Sequence, residues 1–252
     1  MSNRPAIWPY PKLIAHRGAG KQAPENTLAA MRTGAEYGYK MMEFDVKFCK
    51  DDIAILLHDD DIGRTSNSTG LAAELTFNEL ASVDFGAWHS KKFAGEPIAT
   101  LRSVANYTLA NGIDSNIEIK PHPGLEATTG ARVASLAQEL WSGASLPPLL
   151  SSFSEQALEA AMQAAPNLPR ALLIANELPA DWLDRVQRLD CIGLNLNNRY
   201  TTQSVVRQII DAGFTVAVWT VNDVARMQEL LNWGCHAVFT DEVQTISPTK
   251  LA

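Results

Sequence analysis

Eight short apolar runs alternate with helix-like stretches from one end of the 252-residue chain to the other, and this alternation restricts the fold more than any other feature. The runs are Lys12–His16, Met41–Val46, Asp114–Lys120, Pro148–Ser151, Arg170–Ile174, Cys191–Leu196, Phe214–Trp219 and His236–Thr240. Eight βα units with no linker between them predict an α/β fold, a single (β/α)8 TIM barrel over residues 1–252. The stretches between carry apolar stripes at helical spacing. Asn26 is expected to cap a helix that turns Leu28, Met31 and Ala35 inward and ends at Gly38. Val205, Val206, Ile209 and Ile210 precede Gly213; Val224, Met227, Leu230 and Leu231 follow an expected Asn222 cap and stop at Gly234.

One segment breaks the rhythm. Ile53–His58 is a second apolar run a short turn after Val46, and a long stretch rich in Gly, Ser, Thr and aromatic residues follows it. Residues 59–99 therefore read as an insertion after the second of two histidines described below, of the kind barrels carry at their catalytic end.

Composition narrows the partners. With 46% hydrophobic and 19% charged residues the chain is built to bury a large core. The net charge is −7 and no basic run exceeds Lys91-Lys92, so no stripe is available to follow a nucleic-acid backbone. Cys49, Cys191 and Cys235 are far apart and form no C-x-x-C pair, which suits core thiols in a reducing compartment and argues against zinc. Met1–Pro11 has three prolines and no apolar h-region, and no 18 consecutive apolar residues occur, so a cytoplasmic protein with no membrane partner is expected.

The chemistry sits where polar residues meet strand ends. Alternation in Met42-Glu43-Phe44-Asp45-Val46 places Glu43 and Asp45 on one face, and Ile117-Glu118-Ile119-Lys120 does the same for Glu118 and Lys120. A barrel turns those faces inward. Buried carboxylates need a countercharge, and an all-oxygen set favours a hard divalent cation, Mg2+ or Ca2+; the alternative is structural ion pairing with Lys120, Arg17 or Lys47. His16-Arg17-Gly18 and His58-Asp59 place two imidazoles at the carboxyl ends of strands, where an acid and a base belong. His89, His122 and His236 read as structural. The Arg17 fork and the Lys120 point charge suit a phosphate, unless both are simply salt-bridged. Together these features describe a phosphoryl-transfer site.

Gly18-Ala19-Gly20-Lys21-Gln22-Ala23 formally satisfies a dinucleotide-binding fingerprint. Against it, Pro24-Glu25 puts a negative charge where a pyrophosphate would sit, and the fingerprint accounts for neither histidine nor the Glu118-Lys120 strand.

In chain order, His16-Arg17-Gly18, Ala23-Pro24-Glu25-Asn26-Thr27, Glu43-Phe44-Asp45, His58-Asp59, Arg64-Thr65, Glu118-Ile119-Lys120 and Trp219-Thr220-Val221-Asn222 closely resemble the glycerophosphodiester phosphodiesterase family. The likeness covers nearly the whole chain and is greatest to the short cytosolic bacterial members. It implies a (β/α)8 barrel that hydrolyses glycerophosphocholine or glycerophosphoethanolamine to an alcohol and sn-glycerol 3-phosphate, using one divalent cation. It also implies Glu43, Asp45 and Glu118 as metal ligands, His16 and His58 as the acid/base pair, and Arg17 and Lys120 as neutralisers of phosphate charge. Glu25, Asn26, Trp219 and Asn222 are further candidates around the substrate, Trp219 being equally suited to core packing. The implied partner is a small-molecule diester, with no nucleic acid and no membrane, and self-association is left open. The turn Lys50-Asp51-Asp52 lacks the glycine many relatives have, and Asp tolerates the left-handed backbone it would supply.

Three rivals are weighed against this. A lipid-headgroup phosphodiesterase on a similar barrel would want a basic amphipathic stripe, which is missing. A Schiff-base role for Lys120 is opposed by Glu118 beside it. A noncatalytic phosphodiester-binding barrel would have no use for both histidines together with three carboxylates.

Overall fold

The computed structural model describes residues 8–249. The proline-containing start therefore lies partly outside the described residues. The strands are β1 (Leu13–Ala15), β2 (Met41–Phe48), β3 (Ala54–Leu56), β4 (Asp114–Ile119), β5 (Leu149–Ser152), β6 (Arg170–Ile174), β7 (Gly193–Asn197), β8 (Thr215–Trp219) and β9 (Ala237–Thr240). Eight of them pair in parallel in the order β1-β9-β8-β7-β6-β5-β4-β2, and β1 meets β2 at Ala15 and Met42 to close the ring. The result is the (β/α)8 barrel the alternation predicts. β2 overruns its neighbours, and its last residues Val46, Lys47 and Phe48 pair antiparallel with Leu56, Ile55 and Ala54 of β3. That hairpin carries His58 to the carboxyl end of the ring.

Period-two burial divides each strand between two cores. Phe44, Val46, Ile117, Ile119, Leu172, Leu194 and Val216 face outward and pack with helix residues such as Val133, Val206, Ile209 and Leu230. Ile14, Met41, Leu149, Ala171, Ala217, Ala237 and Phe239 form a separate cluster inside the ring, joined by Tyr10. Residues 59–99 contain three short 3-10 turns and the helix Phe77–Ala81, and Ile62, Ala72, Leu80, Phe85 and Ile98 pack on Cys49, Ile55 and Leu57 of the hairpin.

Two helix starts differ from expectation by one residue, for the same reason. Thr27, not Asn26, caps the helix Leu28–Glu36 by accepting from the Ala30 N–H at 3.1 Å. Asn26 sits at φ 60° with its amide committed to Asp45. Likewise Asp223, not Asn222, caps Val224–Asn232, accepting from the Arg226 N–H at 2.8 Å, while Asn222 is held by Asp241. Tertiary bonds outbid the local cap at both sites. Asp52 takes φ 66°, the left-handed turn expected of it. All three cysteines are buried free thiols. His89, His122 and His236 each bond to main chain, at Lys21, Phe48 and Val216. Among the described residues no helix is long and apolar enough to cross a membrane.

Candidate active site

Strand pairing sets Asp45 on β2 beside Glu118 on β4, with Glu43 one inward position below Asp45. One carboxylate oxygen from each of the three lies within 4.8 Å of the others, and all three residues are buried. Asp45 is clamped by Asn26, whose Nδ2 donates to Oδ2 at 2.8 Å while its Oδ1 accepts the Asp45 N–H at 3.0 Å. Arg17 adopts φ 52°, and its N–H donates to Glu43 Oε2 at 2.9 Å. Glu43 Oε1 is buried with no hydrogen-bond partner.

The charges are unbalanced locally. Burial and the adjacent Asp45 charge push Glu43 up to about 8, and the same two causes push Glu118 up to about 7. Asp45 stays below the usual carboxylate range despite burial, because Arg17 and Lys120 face it. Lys120 Nζ lies 3.1 Å from Glu118 Oε1 and 3.9 Å from Asp45 Oδ1, and Arg17 Nε lies 3.5 Å from Asp45 Oδ2. Lys47 turns away to the Asp59 carbonyl and to Asp60, at 2.6 and 2.7 Å. Ion pairing thus serves part of the cluster and leaves Glu43 Oε1 unserved. Three hard oxygen donors with an orphaned buried oxygen fit a divalent cation.

Each site histidine has its own aspartate. His16 Nδ1 donates to Asp241 Oδ1 at 2.6 Å, and Asn222 Nδ2 donates to the other Asp241 oxygen at 3.1 Å. His58 Nδ1 donates to Asp59 Oδ1 at 2.6 Å, and Lys120 Nζ donates to His58 Nε2 at 3.2 Å. Both rings are therefore held through Nδ1, with His58 Nε2 turned to Lys120 and His16 Nε2 3.8 Å from Glu43 Oε2. Gly20 permits the His16–Asp241 approach, since a Cβ there would fall 2.2 Å from the Asp241 backbone. The fingerprint-like glycine is thus a packing requirement.

A carboxylate relay braces the rim. Glu25 accepts from Arg17 at 2.7 Å and from both terminal nitrogens of Arg64 at 2.8 Å, and Arg64 Nε donates to Asp59 Oδ2 at 2.5 Å. Arg64 lies in the first turn of the inserted segment, so that segment is tied to the partner of His58. His16, Arg17, Glu43, His58 and Glu118 line one cavity of about 270 Å³, walled by Phe153, Leu173, Trp219 and Phe239. This is just below the roughly 300–1,000 Å³ of drug-sized sites and suits a small polar ligand.

The glycerophosphoryl diester phosphodiesterase family matches this chain over residues 16–245. The chain belongs to that family. Among relatives of the family, the chain is 29% identical over 238 residues to the glycerophosphodiester phosphodiesterase of Caldanaerobacter subterraneus, covering 93% of this chain and 95% of that one. It is 28% identical over 245 residues to a glycerophosphodiester phosphodiesterase of Bacillus subtilis, covering 90% and 82%. Among solved structures, an Oleispira antarctica phosphodiesterase in complex with the product sn-glycerol-3-phosphate aligns with a TM-score of 0.88 and 35% identity, over 94% of this chain and 95% of that one.

Within this phosphodiesterase barrel, the structure gathers His16, Arg17, Glu43, Asp45, His58, Glu118 and Lys120 at one end of the ring, with Trp219 half-buried in the cavity wall. Glu25 and Asn222 lie behind this group, Glu25 between two arginines and Asn222 on Asp241. Sequence reasoning missed Asp241, the bond from His58 to Asp59, and the bracing by Arg64. Asp241 directly follows the last strand, and that position was its only signal.

Proposed function

We propose that this cavity hydrolyses glycerophosphodiesters such as glycerophosphocholine and glycerophosphoethanolamine to an alcohol and sn-glycerol 3-phosphate, with one divalent cation held by Glu43, Asp45 and Glu118. The supporting observation is that one cavity is lined by two of those carboxylates and by two histidines that each carry a private aspartate. When bound, the cation, Mg2+ or Ca2+, neutralises charge on a nonbridging phosphate oxygen. Arg17 and Lys120 share that work from the strand tips. One histidine Nε2 takes the proton of the attacking oxygen as that oxygen bonds to phosphorus, whether it is water, which gives sn-glycerol 3-phosphate directly, or the glycerol 2-hydroxyl, which gives a cyclic phosphate that a water then opens. The other gives a proton to the departing alcohol oxygen as its bond to phosphorus breaks. Asp241 and Asp59 hold the rings in the required tautomer, as the partner of a catalytic histidine does elsewhere. Trp219 and Phe153, edge to face at 5.4 Å, give the glycerol carbons an apolar wall. Asn222 and Glu25 serve the substrate indirectly, through Asp241 and Arg17. The same reading takes residues 59–99 as an insertion within one catalytic domain, and a cytoplasmic protein acting on small molecules alone.

The test is to incubate the purified protein with each diester and Mg2+ or Ca2+, and to measure sn-glycerol 3-phosphate. Its release is expected; folded protein that releases none under either cation contradicts the proposal.

A further inference from the structure

The interior changes character one layer below Glu118. Asn116 on β4 and Asn195 on β7 both face inward there, both line the cavity, and each is only 1% exposed. Asn116 Nδ2 donates to Ser151 Oγ at 2.8 Å, but Asn116 Oδ1 has no hydrogen-bond partner. Asn195 Nδ2 has none either. The cavity floor thus presents one unpaired acceptor and one unpaired donor, both out of reach of bulk water.

Nothing in the fold requires Asn195 to be polar. The Trp219 indole N–H donates to its backbone carbonyl at 3.1 Å, a bond that any residue at this position could accept. Its strand neighbours in register are Leu173 and Ala217, and the cluster beneath is apolar, including Ile14, Met41 and Leu149. An aliphatic residue would suit such surroundings, and a buried amide left unpaired there is costly. A ligand hydroxyl or carbonyl that completes it would offset that cost.

A hydroxyl group is both donor and acceptor, so the hydroxyls of a polyol can satisfy a donor such as Asn195 Nδ2 and an acceptor such as Asn116 Oδ1. Along β4 the inward-facing order from tip to floor is Lys120, Glu118, Asn116. Positive charge for a phosphate therefore lies at the mouth, and one layer below Glu118 the amide of Asn116 stands in register with Glu43. We infer that Asn116 and Asn195 form a polyol subsite that receives the hydroxyl furthest from phosphorus in the glycerol half of the diester. This inference rests on the reaction proposed above. It makes the floor, and not the leaving alcohol, the place where a glycerol diester is told from a simpler alkyl diester.

The experiment is calorimetric binding to the Mg2+-loaded full chain of two ligands, sn-glycerol 3-phosphate and the matching enantiomer of propane-1,2-diol 1-phosphate, which lacks only the terminal hydroxyl. The protein is expected to prefer the glycerol phosphate by about 10- to 100-fold, and Asn195→Ala to reduce that preference to within about threefold. Equal affinities in the unaltered protein overturn the inference, whatever the variants do, and show a floor filled by ordered water only. A preference that survives intact in both Asn195→Ala and Asn116→Ala overturns it as well. Binding is read separately from hydrolysis. Preference for the glycerol phosphate without diester cleavage removes the reaction and leaves the subsite, whereas cleavage with equal binding removes the subsite and leaves the reaction.

Discussion

His16 donates to Asp241 across 225 positions of sequence, and the 2.6 Å bond between them spans the seam where the last strand returns to the first. The partner of His58 is the next residue, Asp59, at the same distance. One dyad is thus made by ring closure and the other by a local turn, yet each holds its ring through Nδ1.

Asp241→Asn removes the charge that fixes the His16 tautomer, and turns one of its two acceptor oxygens into an NH2, while preserving volume. The expected result is a fall in kcat of about 10²-fold or more with KM changed only a few-fold. Steady-state kinetics on glycerophosphocholine measures both, and a kcat within about threefold of the parent would remove Asp241 from the mechanism.

A cation taken up among the crowded Glu43, Asp45 and Glu118 should stabilise the folded chain. At about 100 times its Kd a cation contributes about 2.7 kcal/mol, which for a chain of this size raises Tm by roughly 5–10 °C over the chelated protein. Glu43→Gln should shrink that rise. Melting curves that do not respond to Mg2+ or Ca2+ would argue against a site at these residues.

Asp84 organises the inserted segment by accepting N–H bonds from Gly86, Ala87 and Gly95 at 2.8, 2.9 and 2.8 Å. Those three donors hold its carboxyl below the usual range. The folded state therefore releases the Asp84 proton more readily than the unfolded chain. The stabilisation is present above the ordinary carboxyl value of about 3.9 and is lost as pH falls through the lower folded value. Asp84→Asn, which turns an NH2 toward the Gly95 N–H, should lower the urea midpoint at pH 7, with the gap to the parent closing below about pH 4. A gap that stays constant across this range would assign the loss to packing.

Burial pushes the Cys49 thiol up to about 11 and those of Cys191 and Cys235 to about 12. At pH 8 the folded protein should show almost no reaction with an aromatic disulfide reagent, and the three thiols should react once denatured. Rapid labelling of the native chain would contradict the core placement.

The barrel was legible because strands buried on both faces, as in Met41–Phe48, stand out as short runs, and eight such runs alternate with helical stretches. The gathering of the carboxylates, both histidines, Arg17 and Lys120 at one end of the ring was legible because strand ends converge in a barrel. Helix caps were displaced by a residue where a side chain had a better tertiary partner, as Asn26 does in Asp45 and Asn222 in Asp241. The Asp241–His16 pair was hidden because nothing local links the two. Asn116 and Asn195 were hidden because a single amide inside an apolar strand shows neither its depth nor its lack of a partner until the ring is closed.

The most direct measurement is release of sn-glycerol 3-phosphate from glycerophosphocholine by the chelated protein, before and after Mg2+ or Ca2+ is restored, with His16→Ala and His58→Ala alongside. Expected are negligible release after chelation, recovery with cation, and a loss of about 10²- to 10⁴-fold in each variant. Full activity in the chelated protein, or in both histidine variants, would contradict a metal-assisted, histidine-driven hydrolysis at this site.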